Sequence, residues 1–184
     1  MKKIPTLFIR DFENDPRYVT RTVNPESEWV VNGEGIATRK YDGTCCAIIN
    51  GLFVKRYEIK QGGVAPYGFI PANDVDNNTG KQQGWVEVGN GNEDKWHREA
   101  YERLEDKSDG TFELLGPKIQ GNPEGMTEHI LVRHSLAETY PDAPRDYDAL
   151  REWFKDKHIE GLVWHHEDGR MAKLKRKDFK HNES

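Results

Sequence analysis

Cysteine is nearly absent from this chain of 184 residues: there are two, Cys45 and Cys46, and they are adjacent. Neighbours on a strand point to opposite faces, so the pair supports neither a disulfide framework nor a tetrahedral zinc site, and both read as small core residues. Long apolar runs are missing too. No stretch approaches the roughly 20 apolar residues of a membrane span, and the basic start Lys2-Lys3 leads into Ile4-Pro5-Thr6 without the apolar segment of a secretion signal. Positive charge is in deficit, with 27 Lys and Arg against 32 Asp and Glu for a net of -5. That excludes a polycation that coats nucleic acid without specificity, though not a local basic site. There is no internal repeat and no low-complexity tract.

What is present suffices for one folded domain over 1–184. Aromatics make up 10% of the chain, enough bulky surface to close a core, while a mean hydropathy of -0.91 describes a wet, charged exterior. Alternation and turn residues predict strands at 29–31, 36–41, 45–49, 52–59, 85–88, 111–115, 129–134, 159–165 and 170–176. Two amphipathic helices interrupt them. The first, about 93–106, spaces Trp96, Ala100 and Leu104 by four, and the second, 147–157, carries Leu150, Trp153 and Phe154. The segment 61–84, rich in Gly, Pro, Asn and Asp, reads as a long loop. Many strands with few helices indicate α+β, with antiparallel sheets and flanking helices.

Two dipeptides predict hairpins. Asn50-Gly51 between apolar runs signals a two-residue type I′ turn, which pairs Ile49 with Leu52, Ala47 with Val54 and Cys45 with Arg56 on one side. Arg56 then ends an apolar face and requires an acceptor, either an internal carboxylate or a bound phosphate or ribose. Asp168-Gly169, read the same way, pairs Trp164 with Lys173, Leu162 with Lys175 and Glu160 with Lys177, leaving Val163, Ala172 and Leu174 on the apolar side. Between Arg170 and Lys180 lie six cations and one acid, Asp178, in a chain that is acidic overall. Such a ribbon attracts a polyanion, and Glu160 on the same face is suited to the divalent metal that accompanies polyphosphates.

Lys40-Tyr41-Asp42-Gly43 sits where a strand meets the first hairpin. Alone it is a surface lysine before a turn. Its company is Arg56, Glu113 in Thr111-Phe112-Glu113-Leu114-Leu115-Gly116, Glu160-Gly161-Leu162-Val163, and Lys173-Leu174-Lys175. In that order the residues resemble the covalent nucleotidyltransferase superfamily of ATP-dependent ligases and capping enzymes. Within it they are similar to the small single-domain RNA ligases of phages and animals, through Lys40-Tyr41-Asp42-Gly43-Thr44-Cys45-Cys46, Gly84-Trp85-Val86, the run 93–100, the run 113–123 and Glu160-Gly161-Leu162-Val163-Trp164-His165.

The resemblance implies that Lys40 attacks the α-phosphate of ATP to form lysyl-AMP, that AMP passes to an RNA 5′-phosphate, and that a 3′-hydroxyl displaces it. An ammonium cannot attack, so desolvation and neighbouring cations are expected around Lys40, with Lys173 and Lys175 neutralising the α-phosphate. By the same resemblance Glu113 binds the ribose, Arg56 contacts the ribose or acceptor end, Glu160 holds Mg²⁺ (or Mn²⁺), and Thr38, Asp42 and Gly43 complete the nucleotide site. Phe112 and His134 are the candidates for stacking on the base. The partner implied is RNA with 5′-phosphate and 3′-hydroxyl ends, gripped by the 170–180 strand, Arg17, Arg21 and the 61–84 loop, with no membrane and no obligate protein partner. The compartment expected is the cytoplasm, that of the host if phage-encoded. Nine residues follow Lys175, too few for an appended OB-fold, and there is no cysteine-rich zinc module, so an ordinary DNA ligase, capping enzyme or NAD-dependent ligase is not expected. The alternatives kept open are a minimal DNA ligase, a GTP-using guanylyltransferase and a silent RNA-binding module.

Overall fold

The computed structural model describes residues 3–180. It is α+β, as expected, with mainly antiparallel sheets, and it divides into two compact units. Residues 42–136 form an inserted unit, and residues 3–41 with 137–180 form a terminal unit.

The terminal unit contains β1 (Phe8–Asp11), β2 (Asp15–Val23), the short α1 (Glu28–Val31) and β3 (Ile36–Lys40). The inserted unit follows, with β4 (Thr44–Ile49), β5 (Leu52–Ile59), β6 (Ile70–Pro71), β7 (Gln82–Glu87), α2 (Lys95–Arg103), β8 (Gly110–Leu115) and β9 (Ile130–Arg133). The chain returns to the terminal unit for α3 (Tyr147–Lys155), β10 (Gly161–His165) and β11 (Met171–Lys175). Strands β1 and β2 pair as a hairpin, β11-β10-β3 form a three-stranded sheet, and β6-β7-β5-β4-β8-β9 form a six-stranded one.

Each unit has its own core. In the terminal unit Leu162 and Trp164 from β10, Ala172 and Leu174 from β11, and Ala37 from β3 pack against Leu150 and Phe154 of α3 and against Phe8. Asp146 starts α3 by accepting the Ala149 amide, and burying residues four apart turns one stripe of the helix to the sheet. In the inserted unit Cys46, Ile48, Phe53, Phe112 and Leu114 pack under Ala100 of α2, and Ala47, Val54 and Trp85 occupy the opposite sheet face. Full burial of each large side chain contributes on the order of 1.5–3 kcal/mol. The two adjacent cysteines are free and sit on opposite faces.

Four expectations are corrected. Residues 29–31 are helical: Asn24 caps a 3-10 turn beginning at Pro25, which feeds α1. The hairpin of β1 and β2 lies where no strand was expected. The 61–84 segment contains β6 and the start of β7. The β10–β11 register is shifted by one, pairing Trp164 with Ala172, Val163 with Lys173 and Gly161 with Lys175. His166 N–H bonds to Arg170 O, closing a three-residue loop with Gly169 at φ +97°. Leu162 and Trp164 therefore belong to the core and Val163 to the lysine face, while Lys177 lies in a 3-10 turn (Arg176–Asp178) instead of opposite Glu160. The Asn50-Gly51 hairpin has its expected register, with both turn residues at positive φ.

Candidate active site

The residues singled out in the sequence fall into two sets, one in each unit. In the terminal unit, strand pairing places Gly161 between Lys40 and Lys175, and Val163 between Thr38 and Lys173. These odd positions of β10 and their partners share the face opposite the core. Thr38, Lys40, Lys173 and Lys175 thus project from one side of three adjacent strands, with Glu160 just before β10.

The distances follow from that register. Lys40 Nζ lies 2.7 Å from Glu160 Oε2, and Lys175 Nζ lies 3.9 Å from Glu160 Oε1, so one carboxylate stands between two ammonium groups. Gly161 makes the arrangement possible, because a Cβ there would lie 2.3 Å from Leu174 O and 2.8 Å from Lys175 Cα. Burial first, then the charges of Lys175, Lys40 and Lys3, push the Lys173 ammonium down to about 8. Burial followed by the charge of Lys40 also lowers Lys175, with Glu160 opposing. Thr38 Oγ1 bonds to Val163 O and lies 3.1 Å from His165 Nε2.

Asp178 is a member of this set that the sequence reading passed over as the lone acid of a basic strand. Its side chain is 2% exposed; one oxygen pairs with Arg10 at 3.0 Å and the other accepts the Lys175 amide at 2.8 Å. The carboxylate fixes the end of the strand that carries Lys175.

In the inserted unit Glu113 is held at both oxygens, by the Gly43 amide at 3.1 Å and by His134 Nε2 at 3.0 Å. His134 Nδ1 is 2.9 Å from Thr111 Oγ1. Gly43 is required here, since a Cβ would meet Leu114 O at 2.2 Å. The Asp42 amide bonds to Glu124 Oε2 at 2.9 Å. Arg56 pairs with Trp85 across β5 and β7, its guanidinium 4.9 Å from the indole ring. Phe112, one of the two base-stacking candidates, is fully buried in the core. Arg17 and Arg21, expected to grip substrate, are paired with Asp15 and Asp148.

Among the described residues, no group of three or more His, Cys, Asp or Glu side chains is arranged to hold a metal ion, and no helix is long and apolar enough to cross a membrane. Chemically, the terminal-unit face offers an amine beside a carboxylate and two further cations, a setting for an anionic substrate.

Comparison with known proteins follows the same direction. The family model described as RNA ligase 1 matches residues 93–182, a stretch that includes Glu113, Glu160, Lys173 and Lys175. RNA ligase 1 of Mus musculus is 23% identical over 258 aligned positions covering 95% of this chain and 79% of that protein. That of Pongo abelii is 24% identical over the same extent. That of Danio rerio is 31% identical over 81 positions, 40% of this chain and 25% of the relative. These similarities support an RNA ligase.

Proposed function

We propose that the chain is an ATP-dependent RNA ligase that joins a 5′-phosphate to a 3′-hydroxyl through lysyl-AMP and RNA-adenylate. The observation that carries this reading is the clustering of Lys40, Glu160, Lys173 and Lys175 on one face, with Lys40 Nζ 2.7 Å from Glu160. Lys40, its ammonium having first given a proton to solvent, attacks the α-phosphorus of ATP; an N–P bond forms, the bond from the α-phosphorus to the bridging oxygen breaks, pyrophosphate departs with that oxygen, and the nitrogen gives a second proton to solvent. Lys173 and Lys175 offset charge on the α-phosphate, and Glu160 orients the amine. In the inserted unit Glu113, pinned through both oxygens, is suited to accept the ribose hydroxyls; Asp42, Gly43 and Arg56 in that unit, and Thr38 in the terminal unit, are the further nucleotide and acceptor contacts that the resemblance implies.

A single carboxylate among lysines is no cage for a cation, but it suits Mg²⁺ or Mn²⁺ held jointly by Glu160 and the phosphates of ATP. Bound there, the ion would neutralise charge on the departing pyrophosphate.

The test is intact mass after incubation with ATP and Mg²⁺: the gain of one AMP in the wild type and none in Lys40→Ala. An unmodified wild type overturns the reading and leaves a silent RNA-binding module. Labelling by GTP in place of ATP would indicate a guanylyltransferase, and sealing of DNA but not RNA strands a minimal DNA ligase.

A further inference from the structure

The terminal unit has a second concavity, beside β11, that the adenylyl transfer leaves unused. The start of the chain is laced to the lysine strand there: Lys173 N–H bonds to Pro5 O and Leu7 N–H to Lys173 O, each at 2.9 Å. This segment and β1 border a cavity of about 530 Å³, a size that suits a nucleotide. Its wall is mostly apolar, with Ile4, Pro5, Ile9 and Phe12, and Lys3 and Lys173 supply positive charge.

Three features point to the occupant. Phe12 stands on the turn between β1 and β2 and lines the cavity with 77% of its surface exposed, so its ring is open to a stacking partner. Lys173 belongs both to this cavity and to the face that carries Lys40, so the cavity adjoins the reacting centre. The charge balance also favours an anion. Of the other charged groups at the cavity, Arg10 is neutralised by Asp178, leaving Lys3 and Lys173 against Glu26 alone. Of the acids near Phe12, Asp11 accepts from Asn14, Asp15 pairs with Arg17 and Glu13 is exposed on the turn, and none of the three lines the cavity. A cavity that combines an apolar wall with cations is matched by a nucleotide, whose base is flat and apolar on its faces and whose phosphate is charged. Proteins that hold single strands combine stacking aromatics with cations in the same way.

We propose that this cavity seats one nucleotide of the RNA strand, its base against Phe12 and the apolar wall and its phosphate toward Lys3 and Lys173. The proposal rests on the RNA ligase reading. It makes the N-terminal segment and the β1–β2 turn a substrate platform.

The experiment measures fluorescence anisotropy of a labelled single-stranded RNA with a 5′-phosphate, and AMP uptake from ATP separately. Phe12→Ala, at an exposed turn position, is expected to weaken RNA binding about tenfold, the loss of one base stack, while AMP uptake stays at the wild-type level. Lys3→Ala is expected to lower the slope of log affinity against log salt by about one. Photocrosslinking with 4-thiouridine RNA should label the peptide containing Phe12. Wild-type affinity in Phe12→Ala together with an unchanged salt slope in Lys3→Ala overturns the proposal, as does a wild type that takes up AMP but binds no RNA. RNA binding that depends on Phe12 and Lys3 in a protein that takes up no AMP sustains the cavity and overturns the ligase reading instead.

Discussion

His134 Nε2 lies 3.0 Å from Glu113 Oε1, while the second oxygen of the same carboxylate accepts the Gly43 amide. Thr111 Oγ1, 2.9 Å from His134 Nδ1, can donate to that nitrogen and so set the tautomer in which Nε2 carries the proton toward Glu113. If Glu113 binds the ribose as proposed, His134 acts on it as a positioning residue. Its replacement by Ala removes a hydrogen bond to a charged group, and KM for ATP is expected to rise about tenfold with little change in the rate of sealing pre-adenylated RNA. His134→Gln, which keeps a donor, should recover part of the loss. An unchanged KM in His134→Ala would remove Glu113 from the nucleotide contacts.

Lys173 gives the pH dependence. Its folded value of about 8 lies below the ordinary 10.5, so folding disfavours its ammonium, and between those values the unfolded chain binds more protons. Stability therefore rises as pH climbs from about 8 to 10.5 on account of this group. Lys173→Met is expected to melt at a higher temperature than wild type at neutral pH, with the gain fading above pH 8, and to lose AMP uptake. In the wild type, kcat/KM for AMP uptake should fall as pH rises through about 8, when the cation proposed to neutralise the α-phosphate is lost. Lys173→Arg should move that fall upward. A wild-type profile that stays flat through pH 8 would contradict the role assigned to Lys173.

Asp178 separates fold from chemistry. Removing its carboxylate takes the acidic partner from half-buried Arg10 and the acceptor from the Lys175 amide, at a cost of about 1–3 kcal/mol. Asp178→Ala should show this in urea unfolding. The paired change Arg10→Met with Asp178→Leu should restore stability without restoring AMP uptake, because the Lys175 strand end is no longer held. Full activity in the paired variant would show that Asp178 serves the fold alone.

How far the sequence reveals this arrangement depends on whether a feature is local. Lys173 and Lys175 share a face because they are two apart on one strand, and that holds whatever the partner strand does. The Asn50-Gly51 hairpin was legible because both residues tolerate the positive φ the turn requires. Asp168-Gly169 is compatible with two- and three-residue loops, and the choice moved every cross-strand pair by one, sending Trp164 inward. The strand at 15–23 was obscured by Pro16 and by exposed charges on an element with one buried residue, Val19. His134 stands opposite Thr111 by the β8–β9 register, but the connection between those strands is long and carries no turn that would fix it. The residues 29–31 were too few to display a period, and the signal that decided them was the Asn24-Pro25 cap just upstream.

Gly161 is the most restrictive position on the lysine face. It pairs with Lys40 on one side and Lys175 on the other, and its missing side chain lets β11 approach so closely that Leu174 O would lie 2.3 Å from a Cβ. The atom in the way is backbone, so the strand itself must move. Gly161→Ala is expected to separate β10 from β11 at the point where Lys175 approaches Glu160, at a cost of about 1–3 kcal/mol typical of overpacking. Under conditions where the variant is still folded, AMP uptake should fall by tenfold or more, while the far end of the sheet, at Trp164 and Ala172, keeps its amide protection in hydrogen exchange. A folded Gly161→Ala protein with wild-type AMP uptake would show that the spacing between Lys40, Glu160 and Lys175 is not what the chemistry depends on.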